Sequence, residues 1–270
     1  MESPHDAAWN EPTGRFTALL ALPEGDVPLD EAAFLIAAHA HPELNLDDWL
    51  VRLDEIAARC VTARTPAQLA EALFVVQGFA GNVDDYSDPR NSLLDDVIDR
   101  RLGIPITLSI LMVEVGRRIG VPLHGVGMPG HFLVGTGDGS GLFVDPFSGG
   151  RVLDAAGCRE IFATLQGPDA PFSDAYLAPT GARAVLLRVL NNLQRSYAER
   201  SSPDAVWVAR LRLRFAELPV EERRQTATRL GSLGRFGEAA ATLEALAASL
   251  DEPAATAVAA EAQALRAREN

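Results

Sequence analysis

Two side chains in this sequence have types and spacing that suit acid–base chemistry. His131 opens the run His131-Phe-Leu-Val-Gly135, and Asp145 closes the run Gly141-Leu-Phe-Val-Asp145. Between them lies Thr136-Gly-Asp-Gly-Ser140, turn residues between two apolar runs, which is the pattern of a β-hairpin. A five-residue loop over 136–140 sets Gly135 opposite Gly141 and His131 opposite Asp145. Opposed residues share a face of the sheet, with Cβ atoms about 5 Å apart. A histidine beside a carboxylate is the orienting half of a nucleophile–base–acid triad.

The other half is a nucleophile. The chain has two cysteines, Cys60 and Cys158. Cys60 lies in an early amphipathic segment and Cys158 lies past the hairpin, so neither is expected to reach His131. Thr107 and Ser109 are hydroxyls near the start of a long apolar segment. They are the candidate catalytic hydroxyls. The alternative is that each bonds back to a carbonyl, as hydroxyls one turn inside an apolar helix ordinarily do.

The elements that must hold these groups are legible from local signals. A helix should begin at Pro105, because proline suits the first helical position, where its missing N–H costs nothing. From Ile106 to Ile119 apolar residues cover most of the circumference, so this helix is expected at the centre of a domain. Glu114 can pair with Arg117 or Arg118 one turn on, and Gly120 and Pro122 end the helix. The period then changes from helical spacing to alternation over His131–Asp145. Together these features predict an α+β fold, with the central helix buried against a small antiparallel sheet.

Before the central helix the pattern is mainly helical. Residues 1–28 read as a loosely held lead, with a short helix around Arg15–Leu22. A helix follows from Leu29 to His39, with acidic residues in its first turn. Asn45 or Asp47 caps a second, and Thr65 caps a third that starts at Pro66. His39 and His41, two apart, point away from each other on a helix, so no metal pair is expected from them. His124 reads as structural. Gly78–Ser92 is a long irregular stretch of Gly, Asn, Asp and Ser. Such loops either cap neighbouring structure, with Asn82 and Asn91 bonding backbone, or carry function. Asp95, Asp96, Asp99, Arg100 and Arg101 form a charged run that is either a solvated face or an Arg–Asp clamp beside the helix start. Asn82, Tyr86, Asn91, Arg100 and Arg101 are the candidate binding residues.

Beyond the hairpin, Pro168–Pro179 is linker-like and Thr180–Arg200 is helical. Four helical segments follow: Asp204–Phe215, Val220–Leu233, Phe236–Leu250 and Pro253–Arg268. Leu230-Gly-Ser-Leu-Gly-Arg-Phe-Gly-Glu-Ala-Ala240 resembles the turn of a tetratricopeptide-type helix pair. These helices are expected to dock on the N-terminal part. The reading divides the chain into a lead over 1–28, a domain over 29–179 and a helical region over 180–270.

Composition narrows the function classes. The chain has 270 residues, 47% of them hydrophobic, and a net charge of −13; all 24 basic residues are arginine. An acidic, lysine-free chain is a poor general binder of nucleic acid or anionic membranes. Two cysteines far apart make neither a disulfide framework nor a zinc site. No signal peptide or long apolar run is visible, so a cytoplasmic location is expected. No metal and no cofactor is read from the sequence.

The buried helix, the histidine strand and the strand ending in Asp-Pro resemble the core of transglutaminase-like proteins, which share a papain-type Cys-His-Asp arrangement. More closely, the chain resembles the SirB-type subfamily. The matching pieces are Gly78-Phe-Ala-Gly-Asn82, Asp88-Pro-Arg-Asn-Ser92, Arg100-Arg-Leu-Gly-Ile-Pro105, Gly127-Met-Pro-Gly-His-Phe132, Val144-Asp-Pro-Phe147 and Arg188-Val-Leu-Asn-Asn192. In the active enzymes the cysteine starts the central helix, where the helix dipole stabilises a thiolate. The matching positions here are Pro105, Ile106 and Thr107. The resemblance therefore implies a non-catalytic protein-binding or regulatory module whose partner is another protein or peptide. The alternative is an amide or ester hydrolase or acyltransferase that uses His131 and Asp145 with a hydroxyl or water.

Overall fold

The structure is a computed structural model that describes residues 9–200, 202 and 205–269. The first eight residues of the expected lead lie outside these. The chain forms two compact units, Met1–Asn192 and Leu193–Asn270.

The first unit is α+β. Its helices are α1 (Asn10–Leu20), α2 (Leu29–Ala40), α3 (Leu46–Arg59), α4 (Pro66–Ala70, continued by a π-helical turn Glu71–Val76), α5 (Leu94–Arg100), α6 (Pro105–Ile119), α7 (Ala155–Gln166) and the first part of α8 (Ala182–Glu199). The main sheet has the order β3 (Leu123–Val126), β4 (Leu133–Thr136), β5 (Phe143–Asp145), β6 (Arg151–Leu153), and every neighbouring pair is antiparallel. Among the described residues the remaining strands, β1 (Ala80–Gly81) and β2 (Leu102–Gly103), form a two-residue parallel ladder.

Local signals account for these elements. Asn45 caps α3 by accepting from Asp47 N and Asp48 N, and Thr65 caps α4 by accepting from Gln68 N. Each satisfies backbone donors that the helix itself leaves free. α1 starts five residues before the short helix expected around Arg15–Leu22, and Phe16 on it is fully buried. α6 begins at Pro105 and ends at Gly120, whose φ of +77° lies in the left-handed region that glycine adopts freely. Leu108, Leu111, Met112 and Val115 on α6 are fully buried, against α3 on one side and β3 and β4 on the other.

The polar side of α6 is anchored at its C-terminal end. Glu114 Oε2 accepts from Arg117 at 2.8 Å and from Arg118 at 3.1 Å. Asp30, at the start of α2, accepts from both arginines. His39 and His41 do point apart. His39 lies between Thr13 Oγ1 at 2.9 Å and the Leu35 carbonyl at 2.8 Å, and burial pulls its pKa down to about 4. His41 turns the other way, toward α5.

The hairpin has a five-residue loop, but over 137–141 instead of 136–140. Thr136 N donates to Leu142 O and closes the ladder one residue later on this side. Thr136 is β-branched and suits the strand, whereas Gly141 has a φ of +69° that no strand residue adopts. The register is Val134↔Val144 and Gly135↔Phe143, so His131 does not face Asp145 across the ladder. His124 faces Gly135, and its ring fills the space a side chain there would occupy: a Cβ on Gly135 would lie 2.3 Å from Nε2.

The second unit is helical. It holds the end of α8, α9 (Ala205–Arg212), α10 (Val220–Ser232), α11 (Phe236–Ala247) and α12 (Ala254–Arg266). Ala227, Leu243, Leu246, Val258 and Ala262 form a core between α10, α11 and α12. Arg212 is buried and donates to Gln194, Thr226 and Glu222. Among the described residues no helix is long and apolar enough to cross a membrane.

Candidate functional site

Asp145 ends β5 and starts a turn through Pro146 and Phe147. Its Oδ1 accepts from Phe147 N at 3.1 Å and Ser148 N at 3.3 Å, and its Oδ2 accepts from Ser148 Oγ at 2.8 Å. This is an Asx-type turn, in which the side chain takes the place of a backbone acceptor. His131 closes a tight turn, its N–H donating to Met128 O at 3.0 Å, two residues before β4 begins. Arg188 on α8 holds that turn from outside. Its Nη2 donates to Met128 O at 3.0 Å and His131 O at 2.6 Å, and its guanidinium lies 5.3 Å from the Phe132 ring centre.

His131 Nε2 lies 3.0 Å from Asp145 Oδ1. The shifted register preserves the approach, because a shift of two residues keeps a side chain on the same face of the sheet. The ring is turned so that Nε2 makes no aligned hydrogen bond, and the contact is an ion-pair approach. Burial acts to raise the pKa of Asp145; His131 and Ser148 outweigh it and hold the carboxyl below its ordinary value. His131 is 9% exposed and Asp145 2%.

A line of rings continues from His131 to the surface. The Phe147 ring stands edge-on to His131 with centres 6.4 Å apart, and Tyr86 stands edge-on to Phe147 at 5.7 Å. Gly81 makes room for Phe147, since a Cβ there would lie 2.5 Å from Cδ2. Tyr86 is 47% exposed.

The other candidate residues divide between this site and its support. Thr107 Oγ1 donates to Asn91 O at 2.6 Å and accepts from Ile104 N at 3.2 Å. Ser109 Oγ donates to Pro105 O at 2.7 Å. Asn91 is fully buried at the centre of the 78–92 loop. Its Oδ1 accepts from Asn82 at 3.0 Å and Arg100 at 3.3 Å, and its Nδ2 donates to Asp85 O at 2.7 Å. Arg100 also lies 3.4 Å from Asp88, which makes the expected clamp with a loop carboxylate instead of one from its own helix. Arg101 stands outside this network. It is exposed, with a φ of +56°.

Neither sulfur is at the helix start. Cys158 lies on α7 within the cluster of Val126, Met128, Leu133, Phe143 and Phe162. Burial, then the charges of Asp154 and Asp145, push its thiol up to about 11. Cys60 is fully buried, receives a hydrogen bond from Gln77 Nε2 at 3.1 Å, and has its pKa raised by burial. A thiol is reactive as the thiolate, and both environments oppose it.

Sequence reasoning gave no role to Arg188, Phe147 or Ser148. Arg188 and Phe147 sat inside quoted motifs. Ser148 followed an Asp-Pro turn, whose third residue is a natural donor back to the carboxylate.

This geometry matches a known family. The model of the transglutaminase-like superfamily matches residues 41–191, a span that includes the central helix, the sheet, His131, Asp145 and Arg188. The chain belongs to the transglutaminase-like superfamily. Among similar proteins, a UPF0162 protein of Xylella fastidiosa (strain Temecula1) is 41% identical over 192 residues, 67% of this chain and 68% of that one. UPF0162 protein PA3419 of Pseudomonas aeruginosa is 34% identical over 182 residues, 65% and 67% of the two chains. F-box only protein 21 of Homo sapiens is 30% identical over 124 residues, 43% of this chain but 19% of that protein. No solved structure matches. In this chain His131 and Asp145 lie side by side, and neither cysteine lies at the start of the central helix.

Proposed function

We propose that this transglutaminase-like protein is a non-catalytic module that binds another protein or peptide at the surface beside His131 and Tyr86, in the cytoplasm and with no nucleic acid or membrane partner. The observation that carries the reading is the start of α6. Pro105, Ile106 and Thr107 stand at the helix start, where the resemblance to the active enzymes would place a cysteine, and the Thr107 hydroxyl is committed to the Asn91 carbonyl. Ser109 is committed to the Pro105 carbonyl. A hydroxyl that donates to backbone has no free proton path to an imidazole, and attack needs that path and an oxyanion site. The Asp145 carboxylate is used in holding a turn. Tyr86 and Val83 are exposed on the loop that packs on Phe147, and supply apolar area for a partner. The similarity to a short part of a much longer protein supports a portable binding unit. We read α10 and α11 as a tetratricopeptide-type helix pair that adds a second surface.

The retained pair favours one alternative, an amide or ester hydrolase in which His131 activates water. Turnover of a panel of amide and ester substrates by the parent and by His131→Ala decides between them. The binding reading expects no turnover in either. Activity in the parent that vanishes in His131→Ala overturns it.

A further inference from the structure

A second histidine–carboxylate cluster lies where the end of α2 meets the start of α5. His41 Nδ1 is 2.5 Å from Asp95 Oδ2, and His41 Nε2 is 3.6 Å from Asp96 Oδ2. One donor atom from each residue lies within 4.8 Å of the other two. The Asp95 side chain is 6% exposed, and its Oδ1 is buried without a hydrogen-bond partner. Asp96 Oδ2, the oxygen turned toward Nε2, is also buried without a partner. A buried carboxylate oxygen with nothing to accept from is costly. A cation beside these oxygens would supply the missing partner. Arg100 does not fill that role: its Nη2 is drawn to Asn91 and Asp88, and its Nη1 is itself buried and unpartnered.

We propose that His41 Nε2 and Asp96 Oδ2 ligate a divalent first-row transition cation, with Asp95 as the carboxylate that orients the imidazole. In a tetrahedral site with bonds of about 2.0–2.1 Å, two ligand atoms stand about 3.3 Å apart. The 3.6 Å gap between Nε2 and Oδ2 is within a few tenths of an ångström of that spacing. A ligating histidine characteristically gives its other N–H to a carboxylate, which fixes the tautomer and aims the lone pair. The contact of Nδ1 with Asp95 is that arrangement. Asp95 Oδ1 is left without a hydrogen-bond partner. One nitrogen and carboxylate oxygens suit Zn²⁺, Co²⁺ or Mn²⁺; Mg²⁺ and Ca²⁺ prefer oxygen throughout. His41 is 31% exposed, so water can enter and complete the coordination. The bound ion ties the end of α2 to α5 across 54 positions of sequence.

The test uses the full chain freed of metal by a chelator. Co²⁺ is titrated with visible absorption as the readout, and thermal unfolding is followed with Zn²⁺ and with Mg²⁺. The expected result is a single Co²⁺ per chain with visible d–d bands, a rise in Tm with Zn²⁺ and none with Mg²⁺. His41→Ala and Asp96→Asn should each abolish the Co²⁺ bands. Asp95→Asn should weaken binding by about 10–100-fold, the usual loss for an orienting partner. Asp96→Asn keeps the side-chain volume, so it carries the test if His41→Ala does not fold. Absence of Co²⁺ binding in the parent overturns the proposal. So does unchanged affinity in folded Asp96→Asn.

Discussion

Two histidines of the first unit sit against aspartates, and the two settings differ in what else the carboxylate does. At Asp145, two backbone N–H groups and the Ser148 hydroxyl occupy the carboxylate, and His131 approaches without alignment. At Asp95 and Asp96, His41 is the close neighbour, and two buried oxygens have no partner. The first carboxylate is saturated by its own turn and serves structure. The second is under-supplied and has capacity for a cation. Proximity of histidine to aspartate is common to both, so proximity alone says little about chemistry. The remaining partners of the carboxylate decide.

The largest effect should come from Asp145→Ala. It removes the acceptor of three hydrogen bonds in the 145–148 turn, at about 1 kcal/mol each, and we expect a loss of about 3 kcal/mol in urea denaturation. Asp95→Asn, measured the same way without metal, should cost less than about 1 kcal/mol, because the amide still accepts from His41 and the charge beside the partnerless Oδ1 is removed. Equal losses would break the comparison.

Acid should sharpen it. The folded pKa of Asp145 lies below the ordinary 3.8. The unfolded chain therefore takes up this proton first as pH falls, and stability rises with pH in that range. The contribution is fully present above pH 3.8 and is lost as pH falls through the folded value. Asp145→Asn should flatten the acid limb of the plot of urea midpoint against pH; an unchanged limb excludes this role.

Smaller effects follow around His131. Arg188→Ala frees two carbonyls of the turn that presents His131, and about 2 kcal/mol should be lost in urea denaturation. His131→Ala should lower stability by about 1 kcal/mol, because the contact it removes is unaligned. The smallest effect concerns Cys158. With its pKa at about 11 and its side chain fully buried, it should react with a thiol reagent at neutral pH only as fast as the chain unfolds. Labelling faster than amide exchange in β4 would contradict that.

The hairpin shows where reading from sequence stops. Alternation and turn residues marked both strands and a five-residue loop, but the ladder closes at Thr136 and Leu142, and the register moves by two. The pair still meets, since a two-residue shift returns a side chain to the same face. Asn82, Asn91 and Arg100 were visible as polar residues in a loop. That they converge on one buried amide, and that Arg101 does not, depends on the turn through Pro89–Ser92 and on the left-handed φ at Arg101.

From the sequence by itself came the start of α6 at Pro105, its stop at Gly120, the caps at Thr65 and at Asn45 or Asp47, and the absence of a sulfur at the helix start. These depend on groups within about four positions of one another, and short-range sterics and hydrogen bonding decide them. The tertiary structure alone decided that Thr107 gives its proton to Asn91, that Arg188 holds the His131 turn, that Cys158 is driven toward the neutral thiol, and that His41 meets Asp95 and Asp96. Each of these depends on burial and on partners brought from distant segments, and a side chain's protonation and hydrogen-bond capacity are set by those surroundings more than by its own identity.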